Sequence, residues 1–491
     1  MSNDTFAYKS VKELSTLIRS KELSPVDLME ATIARIEERN EAINAFVHLD
    51  VEGAREGARK AEEAIAKGEE VGVLHGIPSA LKDLFDFKPG WPTTFGGIPA
   101  MKDNIADMHC VFAERVEKAG AILVGKTNSP VLGYRGVTDN PLFGPTKNPF
   151  DITKNSGGSS GGGAAAVAEG LLPIAEGTDG GGSIRIPASW CGVYGFQPSN
   201  GRVPSVIRPN AFGGVAPYLY EGTLTRTVED AAIGLSALTG YHPADPFSLR
   251  DEIDYFSALN QPLKGWKIAY SPNLDVYPVD GKVAEVVANA VQKFKEAGAE
   301  IEEVTLGLQR DQMEYSDLWC RMIMMNSVGL FEGLKKDGLD LMKDHRDELP
   351  DKFIGWLEHT YKMSVTDLLE DQAIRTEIFD ALQGVFQNYD LLISPTLASL
   401  PVENDTNGET EGPSEINGIK VDPLIGWCMT YFTNFTGHPA ASIPAGLADG
   451  KLPVGMQIIG PKGGDLSVLR ASSMFEKLQP WDHIYDLVKN R

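Results

Sequence analysis

Cysteine is scarce in this chain, with four residues in 491, and Cys110, Cys191, Cys320 and Cys428 lie far apart without any CxxC spacing. That pattern argues against a disulfide framework and a structural zinc site, and it predicts reduced thiols, mostly buried. Histidine is scarce as well. The eight residues form no HExxH and no group of metal-ligand spacing, so no metal is expected. Lysine and arginine, 45 together, are outnumbered by 68 acidic residues, and no basic cluster offsets the formal net charge of −23. Nucleic acid and anionic membranes are poor partners for such a chain, and the charge reads as a source of solubility. No run of about 18 apolar residues is available to cross a bilayer. The opening MSNDTFAYKS has no apolar signal core. A cytoplasmic protein, monomer or homodimer, is the expectation.

What the chain does have is material for a large core: 42% of it is hydrophobic and 23% charged, as in globular proteins. Ser24, followed by Pro25 and Asp27, has the form of a helix cap, and Val26, Met29, Ile33 and Ile36 then recur at helical spacing. A second helix carries Ala54, Ala58, Ala61 and Ile65 on one face and stops at Gly68. Residues 10–68 therefore read as a helical lead-in. Beyond it, short apolar runs alternate with helical stretches: LHGIPSALKD (74–83), AILVGKT (121–127), WKIAYS (266–271), EIEEVTL (300–306), DLLISP (390–395), ASIPAG (441–446) and VGMQIIG (454–460). Between them 283–294 is a typical helix, with Val283, Val287, Ala290 and Phe294 on one face. The alternation predicts an α/β fold, a sheet covered by helices on both sides. Residues 69–307 would form the core of the molecule and 386–491 a later part of its sheet. The stretch 308–385 is strand-poor and helix-rich. Its LWCRMIMMNSVGLF (318–331) reads first as core packing and second as an adaptable apolar pocket wall.

Two motif matches fail on context. GAILVGKT (120–127) fits the phosphate-loop pattern letter for letter, but its four inner residues are those of a buried strand, and NSP follows where a helix should begin. GSSGG (158–162) places Ser160 in a G-x-S-x-G, which would need an acid and a histidine later in the chain. His438 and His483 are the available nominees, and neither has a distinctive setting.

Three stretches make more sense together: GIPSALKD with Lys82, GGSSGGG with Ser159 and Ser160, and GTDGGGSIRIP with Ser183. Glycines ahead of a serine let the backbone approach a substrate and point several N–H groups at one spot, as an oxyanion hole requires. No histidine stands near, but a desolvated lysine can serve as base because burial disfavours its ammonium form. Read from the residues alone, a serine–lysine acyl-transfer enzyme and a set of tight turns with a surface-paired Lys82 both remain open.

The block GGSSGGGAAAVAEGLLPIAEGTDGGGSIRIPASWCGVYGFQPSNGRVP (157–204) resembles the signature of the amidase-signature hydrolases. HGIPSALKD, GAILVGKTN, DNPLFGPTKNPFD, GTLTRTVEDAA and GHPAASIPAG…KLPVGMQIIG extend the resemblance over roughly residues 10–480. It implies a single α/β domain with a mixed sheet, and an amidase that cleaves C–N bonds through an acyl-enzyme without cofactor. By the same resemblance Ser183 is the nucleophile, Ser159 the bridging serine after a cis peptide, and Lys82 the base. The 24 positions from Ser159 to Ser183 match the family's spacing and select Ser159 over Ser160. Gly180, Gly181 and Gly182 would supply oxyanion N–H groups, together with Ser183. Ser160, Thr178, Asp179 and Arg185 would orient the relay, and Trp319, Met322, Met324, Met325 and Trp427 would line an apolar pocket. The family often has a bulkier residue at Gly180, so a wider acyl pocket is expected here. The variant GTDGGGSIRIPAS looks closest to bacterial amidases of bulky amides, cyclic nylon oligomers and carbamates. A carbamate (urethane) hydrolase and the glutamine-hydrolysing component of a tRNA-dependent amidotransferase are the alternatives.

Overall fold

The computed structural model describes residues 5–406 and 408–491. Both helices read from their caps form, but the lead-in also holds an earlier helix, Val11–Arg19, and is interrupted by the strand Phe46–Leu49. Ser24 Oγ accepts the N–H groups of Val26 and Asp27 to open Pro25–Ile43, and Val51–Lys67 ends at Gly68 in the left-handed region, φ 72°.

An eight-stranded sheet follows the order Glu300–Glu303, Lys267–Tyr270, Leu391–Pro395, Leu452–Ile459, Ala440–Ala448, Tyr194–Gln197, Tyr220–Thr225, Ile174–Asp179. The first three strands are parallel, and every later pairing is antiparallel. Register carries the period of two straight across it. Ala269, Leu392, Ile459 and Ala440 are successive partners and belong to one apolar core, whereas Tyr270, Ile393, Ile458, Ala441 and Phe196 form the next row and belong to another. Gly281–Val291 and Asp465–Leu478 cover the second face, and Gln312–Lys336, Asp351–Thr360 and Val365–Val385 cover the first. Each fully buried Leu or Ile in these rows contributes roughly 1.5–3 kcal/mol, which makes a one-residue slip of any strand prohibitive.

A separate three-stranded sheet has the order Phe46–Leu49, Ile122–Thr127, Pro78–Lys82. The run read as a strand rather than a phosphate loop is thus its middle strand. Lys126 is fully buried there, donating to Thr93 Oγ1 at 2.7 Å and paired with Asp83 at 3.4 Å. The two sheets meet where Lys82 ends its strand, because its backbone N–H donates to Glu176 Oε2 at 2.7 Å. Among the described residues no helix is long and apolar enough to cross a membrane. All four cysteines are free.

Candidate active site

Lys82 brings three stretches of chain to one nitrogen. Its side chain is fully buried, and Nζ donates to Thr178 Oγ1 at 2.7 Å, Ser159 Oγ at 2.8 Å and Ser160 Oγ at 3.0 Å. Burial pushes the amine down to about 8, against the opposing pull of Asp86, Glu176 and Asp179. The Gly158–Ser159 peptide is cis, as the resemblance implied.

Ser160 and Ser159 sit side by side but differ in freedom. Ser160 Oγ donates to the carbonyl of Thr178 at 3.2 Å and accepts from the Thr178 N–H at 3.2 Å as well as from Lys82. Its hydrogen and both lone pairs are therefore committed. Its backbone N–H donates to the Ser183 carbonyl at 3.2 Å, which ties the Ser159 loop to the Ser183 loop. The histidines nominated for a G-x-S-x-G enzyme do not join this cluster. His438 is buried against Phe386, with Nδ1 2.8 Å from Thr436 Oγ1, and burial lowers it to about 4. His483 lies in the short C-terminal helix Asp482–Tyr485.

The glycine loop that carries Ser183 leaves the end of the edge strand Ile174–Asp179, and its peptide planes are individually pinned. Trp319 Nε1 donates to the Gly180 carbonyl at 2.9 Å, Thr430 Oγ1 to the Gly181 carbonyl at 2.6 Å, and the Ile186 N–H to the Gly182 carbonyl at 2.6 Å. In a trans peptide the next N–H points away from its carbonyl, so these contacts aim the N–H groups of Gly181, Gly182 and Ser183. Gly182 departs from expectation here. Its N–H donates to Asp179 Oδ1 at 2.6 Å, so it is not a free oxyanion donor. Its φ of 122° and a Cβ position 2.0 Å from Thr430 Oγ1 explain why only glycine fits.

Asp179 and Arg185 brace that loop from below. Both side chains are fully inaccessible to solvent. The guanidinium meets Asp179 at 3.0 Å through both Nε and Nη2, and it also reaches Thr433, Gln457 and Asn434. Burial works to raise the Asp179 carboxyl, but Arg185, Asn434 and the Gly182 N–H outweigh it and hold the group below the usual range. An Arg185→Met variant strands that carboxylate, and a loss of about 3–5 kcal/mol is expected in urea unfolding. A loss below about 1 kcal/mol would contradict the unit described here.

The pocket wall needs correction. Trp319 does face the loop, but Met322, Met324 and Trp427 are buried in the core, and Trp427 stacks on Trp190 with ring centroids 4.6 Å apart. Met325 alone of the methionines read as wall keeps partial exposure. A step of three residues drifts around a helix of 3.6 residues per turn, so the neighbour of Trp319 over the site is Ile323, one turn on. A Cβ on Gly180 would come within 3.4 Å of Ile323 Cδ1 and 2.8 Å of Leu219 Cδ2. Neither Leu219 nor Ile323 carried a sequence signal. Asp86, Cys110 and Glu176 form the described cluster with metal-ligand atom types, all within 4.8 Å. Cys110 Sγ accepts the Ala113 N–H, and burial raises its thiol well above the ordinary value.

A buried amine ringed by hydroxyls beside a glycine loop suits acyl transfer, and the relatives of the chain say which kind. It belongs to the amidase family, whose profile matches residues 27–469, and it hydrolyses amide C–N bonds. It is similar to an acylamidase of Rhodococcus erythropolis, at 38% identity over 98% of each chain. The crystal structure of a bacterial aryl acylamidase of the amidase-signature enzymes superposes with a TM-score of 0.97, at 50% identity over 99% of each chain. A 6-aminohexanoate cyclic dimer hydrolase with bound substrate gives a TM-score of 0.85, at 26% identity over 97% of this chain and 98% of the other. One component of the glutamyl-tRNA(Gln) amidotransferase of Geobacillus kaustophilus is 35% identical over 95% of this chain and 96% of its own.

Proposed function

We propose that the protein hydrolyses N-acyl arylamines and related bulky amides through an acyl-enzyme on Ser183, with Ser159 and Lys82 as the proton relay. The hydrogen-bonded contact between the buried Lys82 amine and Ser159 Oγ carries this reading. A neutral amine offers two hydrogens and one lone pair, so one of the three hydroxyls around it donates back. With Ser160 donating to Thr178, Ser159 is free to be that donor. Lys82 then draws the proton of Ser159, Ser159 draws that of Ser183, and the Ser183 oxygen attacks the carbonyl. The relay runs backwards to protonate the departing amine, and water releases the acid. The N–H groups of Gly181 and Ser183 are the oxyanion donors this geometry favours. A well-placed donor of that kind contributes roughly 3–4 kcal/mol to the barrier.

The aryl preference rests on the likeness to acylamidases; Leu219 and Ile323 close over Gly180, so the wider pocket expected of that glycine does not support it. Amine release from an anilide, a cyclic amide, an aryl carbamate, a primary amide and glutamine tests it. The anilide is expected to lead, whereas turnover of glutamine alone would favour the amidotransferase reading. Lys82 must be neutral to act, so kcat/KM should rise with pH through about 8 and fall tenfold per unit below it. A profile flat from pH 6 to 9 would contradict the assignment.

A further inference from the structure

We propose that Asp86 and Glu176 share a single proton and so present one negative charge, not two, behind Lys82. The proposal rests on Lys82 being the base and concerns what holds its backbone and sets its electrostatic surroundings.

Glu176 has no part in the relay, yet its Oε2 fixes the Lys82 N–H at 2.7 Å. Its Oε1 and the Oδ2 of Asp86 are buried without a hydrogen-bond partner, and ligand-type oxygens of the two carboxyls lie within 4.8 Å of each other. Two ionised carboxylates only accept hydrogen bonds, so neither can satisfy the other. One proton between them satisfies both orphaned oxygens and removes one of two like charges from a dry site. The raised affinity of both groups for protons, caused first by burial, agrees with that arrangement.

The groups facing the pair leave the count at one. Asp83, beside Lys82, is paired with Lys126 of the adjacent strand at 3.4 Å. Asp179 is neutralised by Arg185. Glu221, on the strand next to Glu176, is pushed up to about 8 by burial, and the Cys110 thiol at the start of Val111–Lys118 is held neutral by burial. Below about pH 8, where Glu221 keeps its proton, Lys82 therefore faces one net negative charge. A second would hold it as ammonium to higher pH and take the base away from neutral conditions.

Charge counting supplies the test, with Asp86→Asn, Glu176→Gln and the double variant assayed on an anilide the wild type turns over. In either single variant the amide N–H replaces the shared proton and one carboxylate remains. Each should keep the acid limb of kcat/KM within about 0.3 pH unit of wild type. The double variant removes the charge, and its limb should move down by roughly one to two units. Single variants that each move the limb about half as far as the double would overturn the proposal, because both carboxyls would then be ionised in the wild type; one single variant that moves it as far as the double would overturn it too, because that carboxyl alone would then carry the charge. Infrared difference spectra of wild type against either single variant at pH 7 read the same point without activity. They should show the carbonyl stretch of a protonated carboxyl, and its absence, or stoichiometric metal in the purified wild type, would overturn the proposal. A Lys82→Met variant that kept the acid limb would instead sink the base assignment and leave the infrared result standing.

Discussion

Ser183→Ala is expected to lower kcat on an anilide by roughly 10³–10⁶, with little change in KM. Ser183 is 7% exposed at the end of a loop whose carbonyls are held by Trp319, Thr430 and Ile186, so loss of its hydroxyl leaves the scaffold in place. On the proposed mechanism, what disappears is the bond-forming oxygen. Residual turnover would come from the Gly181 and Ser183 N–H groups and from substrate positioning, which survive the change. Melting temperature is the control, and it should stay near wild type. A variant that retained a tenth of the activity would rule out an acyl-enzyme on this residue.

Lys82→Met should cost roughly 10³–10⁴ in kcat/KM and abolish the acid limb. It should also stabilise the fold, for a reason that can be signed. The folded-state value of about 8 lies below the ordinary 10.5, so the unfolded chain binds the proton more tightly between those values. Stability therefore rises with pH from 8 to 10.5 in the wild type, and below 8 the full penalty of burying the ammonium is present. Methionine removes that penalty, and its thioether suits the apolar stem of the site. Urea unfolding of both proteins at pH 7 and pH 10 checks this: the variant should be the more stable at pH 7 and lose most of its advantage by pH 10. A variant less stable at pH 7 would mean that the three hydroxyl contacts of Nζ outweigh its burial.

The parts of this site that were legible in the sequence are those written in local chemistry. Glycines bracketing serines, a lysine closing an apolar run and the lack of any nearby histidine grouped the stretches of Lys82, of Ser159 and Ser160 and of Ser183, and these stretches do meet in the fold; the choice of Ser159 over Ser160 came from the resemblance to the amidase-signature hydrolases. The strand runs were legible for the same reason, since a period of two or an unbroken apolar run is a local pattern. The pocket was not. Met322 and Trp427 have the composition of a wall but are turned into the core, whereas Ile323 and Leu219 reach the loop only because the helix Gln312–Lys336 and the segment before Tyr220–Thr225 pack there. Gly182 resembles its two neighbours in sequence, and only the Asp179 carboxylate distinguishes its N–H from theirs. The Asp86–Glu176 pair joins a turn to a strand 90 positions away in the chain, so nothing short of the register between sheets could reveal it.

The measurement closest to the central claim is peptide mapping of wild-type enzyme acid-quenched during turnover of an activated aryl ester or anilide. The acyl mass is expected on the peptide containing Ser183 and on no other, and it should be absent from Ser183→Ala. An acyl group on Ser160, on Ser159, or on no residue under conditions of rapid turnover would contradict the account.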